Sequence, residues 1–282
     1  MLCFTTLPVC LWKRLPRLRC KKVALFHLIH ASNNGSRKDN TQRLWNECAS
    51  NLSLTLSQVE KLEHFARLLM EHNQNVNLTA IRDWDQVIVK HCIDSLTLVP
   101  LIKKLSSNFP TRLVDVGSGG GIPGIPLAIA VPDCNITLID KTRKKVEIQQ
   151  RIIEQLQLHS VRCLWTRVEV AGQQEEMRES FDFVTARAVA SLDILVEWTI
   201  PFLKEGGYLL AQKSVDAQFS EIKRACNAID DVGATFHDIH YVEKEPSPVD
   251  HRRKAIIVLR KDTNTPKLYP RPPGVAQKRK LG

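Results

Sequence analysis

Four glycines and two acids set the chemistry open to this chain. Gly117, Gly119 and Gly121 alternate, Gly124 follows three positions on, Asp115 stands two before the first, and Asp140 lies 23 positions after Gly117. Backbone without Cβ atoms turns sharply and brings its N–H groups against a ligand that a side chain would push away. A carboxylate at Asp140 is placed to accept both hydroxyls of a ribose. Farther along, Arg187 offers a guanidinium that can stack on a base or pair bidentately with its Hoogsteen edge or with a phosphate. An arginine bridging to a structural carboxylate fits the sequence equally well. His91, Asp94 and Ser95 are three and four apart and share one helical face, again as a functional cluster or as a polar face bonding a neighbour. Together these residues describe a nucleoside-binding crevice. Gly119-x-Gly121-x-x-Gly124 also satisfies the dinucleotide pattern, so the glycines alone leave the cofactor open.

The elements that must position these groups follow from the apolar pattern. Leu113, Val114 and Val116 form a short buried strand ending at Val116. Pro123 suits the first position of a helix running through Leu127, Ala128 and Ile129. Asn135 to Ile139 is a second strand, Thr142 caps a helix to Leu158, and Val161 to Trp165 is a third strand followed by Arg167-Val168-Glu169. Phe181 to Thr185 is a fourth. Ser191 opens a helix, Gly206-Gly207 turns into a strand over Tyr208 to Gln212, and Ala217 to Ile229 is helical. Strands at Thr235 to Val242 and Ala255 to Leu259 follow each other without a full helix between them, so they pair as a hairpin and the final strand is antiparallel. The alternation predicts an α/β fold, a doubly wound and mostly parallel sheet with helices on both faces. Upstream, Ser57 and Glu60 make a capping box for a helix carrying Leu62, Phe65 and Leu69. Asn73, Asn75 and Asn77 end it, and a second helix spans Trp84 to Val99. The expected organisation is a leader over 1–40, a helical subdomain over 41–108, the main domain over 109–262 and a tail over 263–282.

The chain has 282 residues and a net charge of +10, unevenly placed. Residues 1–38 hold eight Lys or Arg and no acid, and residues 263–282 hold five and no acid, so the body between them is slightly acidic. The acid-free, Leu- and Arg-rich leader has the composition of an organelle transit peptide; a disordered RNA-binding arm is the competing reading. No run reaches the roughly 18 apolar residues of a membrane span. Eight cysteines without a C-x-x-C pair indicate neither a metal site nor a disulfide frame. The proline-rich tail reads as too polar to pack, and its Tyr269, Arg271 and neighbouring cations suit an extended course along RNA. On that reading, deleting 265–282 weakens RNA binding and leaves cofactor affinity intact.

Asp115-x-Gly117-x-Gly119-x-Gly121, with the acid inside the strand, is the form used by Rossmann-like methyltransferases, and a terminal antiparallel hairpin is common to that class. Enzymes acting on the adenine amine carry an Asn/Asp-Pro-Pro-aromatic stack after the fourth strand, and cytosine-C5 enzymes need a Pro-Cys or Thr-Cys nucleophile. Thr185-Ala186-Arg187-Ala188-Val189 provides neither. An acceptor that is already nucleophilic, such as guanine N7, needs no general base, and catalysis becomes alignment.

From about Leu56 to Ala276 the chain resembles the RsmG (GidB) family of small-subunit ribosomal RNA guanine-N7 methyltransferases. The resemblance rests on Asn77-Leu78-Thr79 with His91-x-x-Asp94-Ser95, on the run from Asp115 to Leu127 with its double Gly-Ile-Pro, and on Asp140 with Lys144 and Lys145. It continues through Arg167-Val168-Glu169, Ala186-Arg187-Ala188, Lys213, and Thr265-Pro266-Lys267-x-Tyr269-Pro270-Arg271. It implies a Rossmann-like class I S-adenosylmethionine-dependent methyltransferase with an N-terminal helical extension, acting as a monomer, without metal, on small-subunit ribosomal RNA or the small ribosomal subunit. Carried over, Gly117, Gly119, Gly121 and Ile122 line the cofactor loop, Asp140, Lys141 and Thr142 surround the ribose, and Val168 with Glu169 face the adenine. Arg187 lies between cofactor and RNA, and His91, Lys213, Tyr269 and Arg271 contact RNA. Position 141 is Lys where the family commonly has Ser, and Ala276 stands where its tail usually has Pro. The leader places the protein in an organelle, with the plastid stroma favoured over the mitochondrial matrix. An NAD(P)-dependent oxidoreductase and a non-catalytic ribosome-assembly factor are the readings from other classes.

Overall fold

The computed structural model describes residues 37–242 and 251–281. Residues 1–36, the bulk of the expected leader, lie outside the described residues. Two helices open the described residues, α1 over Arg37–Leu52 and α2 over Leu56–His72. The capping box of α2 is Thr55 with Gln58, not Ser57 with Glu60: Gln58 N–H donates to Thr55 Oγ1 at 3.2 Å and Thr55 N–H to Gln58 Oε1 at 2.9 Å. An amide wins over a carboxylate here because its Nε2 also donates to the Ile129 carbonyl at 2.8 Å, which a glutamate at that position could not do. Asn73 caps the far end, its Oδ1 accepting from the Leu78 and Thr79 amides.

The helix expected over Trp84 to Val99 is interrupted. α3 (Trp84–Val87) passes into a π-helical stretch, Ile88–Ile93, before α4 (Asp94–Leu96) and α5 (Val99–Leu105). Then come β1 (Thr111–Val116), α6 (Gly124–Ala130), β2 (Cys134–Asp140), α7 (Arg143–Gln155), β3 (Val161–Trp165), α8 (Val168–Ala171) and β4 (Phe181–Arg187). α9 (Leu192–Thr199) leads to β5 (Leu203–Val215), which carries Gly206 and Gly207 within it rather than before it. The glycine pair sits at a break in register, where Phe181 faces Leu203 but Phe183 faces Tyr208. The expected helix over Ala217 to Ile229 is split into α10 (Ser220–Arg224) and α11 (Cys226–Asp231). β6 (Ala234–Tyr241), β7 (Arg253–Lys261) and the short α12 (Val275–Lys278) complete the chain.

The seven strands form one sheet in the order β3-β2-β1-β4-β5-β7-β6. Only β7 runs against its neighbours, inserted between β5 and β6 and antiparallel to both. Successive residues of β1 point to opposite faces, so Leu113 joins one hydrophobic cluster and Val114 the other. The first cluster takes in Leu62 and Phe65 of α2 together with Leu127 and Leu138. The helices before β1 therefore share the core of the sheet rather than forming a core of their own. No helix among the described residues is long and apolar enough to cross a membrane. No disulfide joins the described cysteines.

Candidate active site

The carboxyl ends of β1, β2 and β4 converge on the glycine turn. Asp115 is wholly buried in β1, its Oδ1 accepting from the Thr185 hydroxyl of β4 and its Oδ2 from the Gly124 N–H, each at 3.0 Å. The turn closes on itself in the same way. The Gly117 and Ser118 amides donate to the Ile139 carbonyl, those of Gly121 and Ile122 to the Ser118 carbonyl, and that of Gly119 to Asp140 Oδ2 at 2.9 Å. Spacing alone suggested an open nest of donors; these donors are spent inside the fold. A dinucleotide fold keeps the turn and the helix start for a pyrophosphate. Here an internal carboxylate holds the amide that opens α6, and this removes the footing of the nicotinamide reading. A Cβ at Gly124 would also run into Leu138.

Gly117 instead makes room. It adopts φ +68°, and a Cβ there would lie 2.8 Å from Val189 Cγ2; both residues line a cavity of about 210 Å³. Asp140, Lys141 and Thr142 at the end of β2 form one wall, Val168 and Glu169 of α8 another. Asp140 Oδ1 accepts from the Thr142 amide at 2.8 Å and Oδ2 from Gly119. A carboxylate offers about four acceptor sites, so roughly two remain for the hydroxyls of a ribose. A Gly117→Ala variant must strain its backbone and displace Val189. It is expected to lose roughly tenfold in affinity for S-adenosylhomocysteine by calorimetry. Gly119, Gly121 and Ile122 do not line this cavity. The first shapes the turn and holds Asp140, Gly121 packs on Ile125, and Ile122 is buried in the core beneath.

Two wall residues had no signal in the sequence. Trp198 reads as one more apolar position of α9, yet it lines the cavity, and its buried Nε1–H has no partner among the described residues. On the wall of a cavity, such a donor can serve a ligand. Gln277 comes from the tail, which was expected to be unpacked.

A second cavity, of about 430 Å³, meets the first at Ala188, held in the left-handed region at φ +55°. Such backbone in a residue with a Cβ is found where the surroundings enforce it, commonly at functional sites. Arg187 stands on the wall of this second cavity. Its Nη1 donates to the Lys90 carbonyl at 2.8 Å and to Asp94 Oδ2 at 3.0 Å, and its Nη2 lies 2.9 Å from His91 Nδ1. The Lys90 carbonyl and the His91 ring that meet this guanidinium both belong to the π-helical turn. Burial, reinforced by Arg187, pushes His91 down to about 4, so the ring is neutral at pH 7. A guanidinium only donates; His91 Nδ1 therefore accepts, and Nε2–H donates to Thr79 Oγ1 at 2.7 Å. The Lys90 carbonyl, 3.1 Å from the same Nδ1, is served by Arg187 instead.

Three expected RNA contacts thus have other work. His91 is 6% exposed with both ring nitrogens engaged, and it positions Arg187. Arg271 is clamped to the fully buried Glu197 of α9, through Nε at 2.9 Å and Nη2 at 2.6 Å. Tyr269 packs on the second core cluster, and its carbonyl accepts from Arg178 at 2.6 Å. Arg178 also donates to the carbonyls of Thr265 and Pro266. The tail is therefore packed, because one arginine satisfies its backbone and one buried glutamate holds its side chain. Lys213 does line the second cavity, with Nζ donating to the Ala190 carbonyl at 2.7 Å and paired with Glu221.

The chain matches the family GidB, rRNA small subunit methyltransferase G, over residues 58–245. It is 38% identical over 231 residues to the ribosomal RNA small subunit methyltransferase G of Desulfitobacterium hafniense (strain Y51), covering 82% of this chain and 92% of that protein. The protein of the same name from Lactococcus lactis subsp. lactis (strain IL1403) is 40% identical over 228 residues, 80% of this chain and 92% of the relative. Among solved structures, M. jannaschii TYW2 in complex with AdoMet superposes with a TM-score of 0.46 at 19% identity, over 58% of this chain and 75% of that one, a likeness too distant to bear on the site. With a family match across two thirds of its length and relatives aligned nearly end to end, the chain belongs to the rRNA small subunit methyltransferase G (GidB) family.

Proposed function

We propose that this S-adenosylmethionine-dependent ribosomal RNA methyltransferase acts, as a monomer, on N7 of a guanine in 16S-type small-subunit RNA of an organelle. The observation that carries this reading is the meeting of two unlike cavities at Ala188. One has the free acceptor sites of Asp140, the Gly117 gap and the Trp198 donor, a set that fits a nucleoside bearing no phosphate. The other is lined by five cations, Lys90, Arg187, Lys213, Arg252 and Lys254, against two acids, Asp94 and Glu221, and this positive excess suits a polyanion. The relatives, named for ribosomal RNA methylation, support the same pairing.

When bound, S-adenosylmethionine supplies an electrophilic sulfonium methyl. Guanine N7 brings an in-plane lone pair and no proton. As the N–CH3 bond forms and the S–CH3 bond breaks, positive charge passes to the base, and nothing needs to be deprotonated. The side chains agree with that demand. His91, the imidazole on the cavity wall, is engaged at both nitrogens and resists protonation, and Asp94 Oδ2 accepts from Arg187 at 3.0 Å and from Gln212 Nε2 at 3.4 Å. Orientation is what this chain contributes, and orientation alone is worth several kcal/mol. Arg187→Lys keeps the charge and loses the planar fork. It is expected to lower kcat/KM on RNA roughly tenfold with S-adenosylhomocysteine affinity kept, a loss of about 1.4 kcal/mol, typical of one charge-assisted bond. Equal losses of both would move Arg187 into cofactor binding.

Primer extension after chemical cleavage at N7-methylguanosine tests the whole reading. A stop in small-subunit RNA that needs both the protein and S-adenosylmethionine supports it; methylation of another atom or of another RNA overturns it. An assembly factor that keeps its pocket for stability alone would bind the cofactor and give no stop. The organelle rests on the acid-free leader and the bacterial relatives. Residues 1–40 fused to a fluorescent protein should enter plastids, and uptake into mitochondria would redirect the assignment.

A further inference from the structure

We propose that Trp165, with the cations around it, is a second RNA-contact surface outside the acceptor cavity, on which one unpaired base stacks. The inference rests on the reading of the substrate as RNA and extends the interface to a side of the molecule which that reading does not use.

Trp165 is the last residue of β3, an edge strand of the sheet, and faces Asp140 in the register of β2 and β3. This places it on the rim of the cofactor cavity, at the same carboxyl ends of the strands. Its side chain is 58% exposed, unusual for the most costly apolar surface to leave in water. The ring is not loose. Nε1–H donates to the Lys141 carbonyl at 3.0 Å, which satisfies its one polar atom and fixes its plane, and the Arg143 guanidinium lies 5.3 Å from the ring centroid. The guanidinium stands over one face of the ring, and the exposed remainder of the ring is open to a base.

Cations outnumber acids around the ring, and two of them, Lys141 and Lys144, have no ion pair among the described residues. Lys141, Arg143, Lys144 and Arg167 are exposed. Asp140 accepts from the Gly119 and Thr142 amides, Glu169 pairs with Arg167 and Glu147 with Arg143, so Lys141 and Lys144 are the cations left to meet phosphates. An oriented aromatic ring among cations is how single-stranded nucleic acid is held: phosphates meet the cations and a base stacks on the ring, without reading sequence. A paired base has no free face to offer, so the partner is an unpaired stretch of the RNA that carries the target guanine. The cavity at Arg187 then takes the acceptor base, and the rim at Trp165 takes a neighbour in space across the cofactor cleft.

The test is binding of a short fluorescein-labelled single-stranded RNA to the full chain saturated with S-adenosylhomocysteine. Trp165→Ala should weaken RNA binding roughly tenfold, and Trp165→Phe, which restores a ring, should recover most of it. Lys144→Ala should flatten the dependence of log Kd on log salt by about 0.7, the slope of one contact with single-stranded RNA. Cofactor affinity and melting temperature should stay at wild-type values in the Trp165 variants. RNA binding by Trp165→Ala equal to wild type overturns the surface and leaves the methyl-transfer reading standing. Parallel losses of RNA and S-adenosylhomocysteine affinity overturn it too, by making the ring part of the cofactor cleft. A wild-type chain that binds RNA with this pattern but forms no N7-methylguanosine removes the proposed reaction and keeps the surface.

Discussion

An Arg271→Ala chain should melt at a markedly lower temperature than wild type and bind S-adenosylhomocysteine more weakly, although Arg271 lines neither cavity. Glu197 is fully buried, and its two oxygens take the Nε, the Nη2 and the backbone N–H of Arg271. Removing the guanidinium leaves that carboxylate buried without its counter-charge, a loss on the order of 3–5 kcal/mol. The same guanidinium donates to the Arg279 carbonyl at 2.7 Å, so both ends of the tail's last turn depend on it. The cofactor cavity follows because Gly274 N–H donates to Glu169 Oε1 at 3.2 Å and Gln277 forms part of the wall. Removing both charges together, as Glu197→Gln with Arg271→Met, should recover much of the stability, since the cost lies in the orphaned charge. Thermal melts and calorimetry on the same samples decide it. A variant that loses stability with its cofactor affinity untouched would show that the tail is no wall of the cavity. The structure also reverses the expectation that deleting 265–282 spares cofactor affinity: the deletion should impair cofactor and RNA binding together.

The strands and the glycine turn were legible because their signals are local. Val161 to Trp165 and the turn after Val116 stand where apolar runs and glycines put them, and the single antiparallel strand is one of the two apolar runs that succeed each other near the end of the chain. What escaped the sequence depends on partners far away along the chain. Thr55-x-x-Gln58 and Ser57-x-x-Glu60 both satisfy a capping box, and the choice falls to an acceptor at Ile129. The composition of the tail describes an unpacked segment, and nothing in it reveals that Glu197 lies buried opposite Arg271. The π-helical turn at Ile88–Ile93 has no pattern of its own; its consequence is the convergence of Lys90, His91 and Asp94 on Arg187, and the spacing of three and four showed only that His91 and Asp94 share a face. Spacing also could not tell that the amides of this turn are bonded within the fold, because a donor nest and a self-closed turn share one sequence pattern.

Asp115→Asn is expected to make the protein progressively more stable than wild type as pH rises. Burial pushes the Asp115 carboxyl up from 3.8 to about 7, against the bonds from Thr185 and Gly124, which favour the ionised form. The folded state thus holds its proton more tightly than the unfolded chain does. The corresponding stability is complete below the unfolded value of 3.8 and is lost as pH rises through about 7. At 1.36 kcal/mol per unit the full change is about 4 kcal/mol, of which about 2–3 kcal/mol falls between pH 5 and pH 8. Asparagine is neutral throughout and nearly isosteric. Its oxygen can keep the Gly124 amide, and its NH2 can donate to Thr185 Oγ1, whose hydroxyl then turns to accept. Denaturant melts of both proteins across that range should show the stability difference moving toward the variant by about the stated amount. A difference that stays flat with pH would mean that Asp115 is already ionised in the folded protein at pH 5, and that its two hydrogen bonds outweigh its burial.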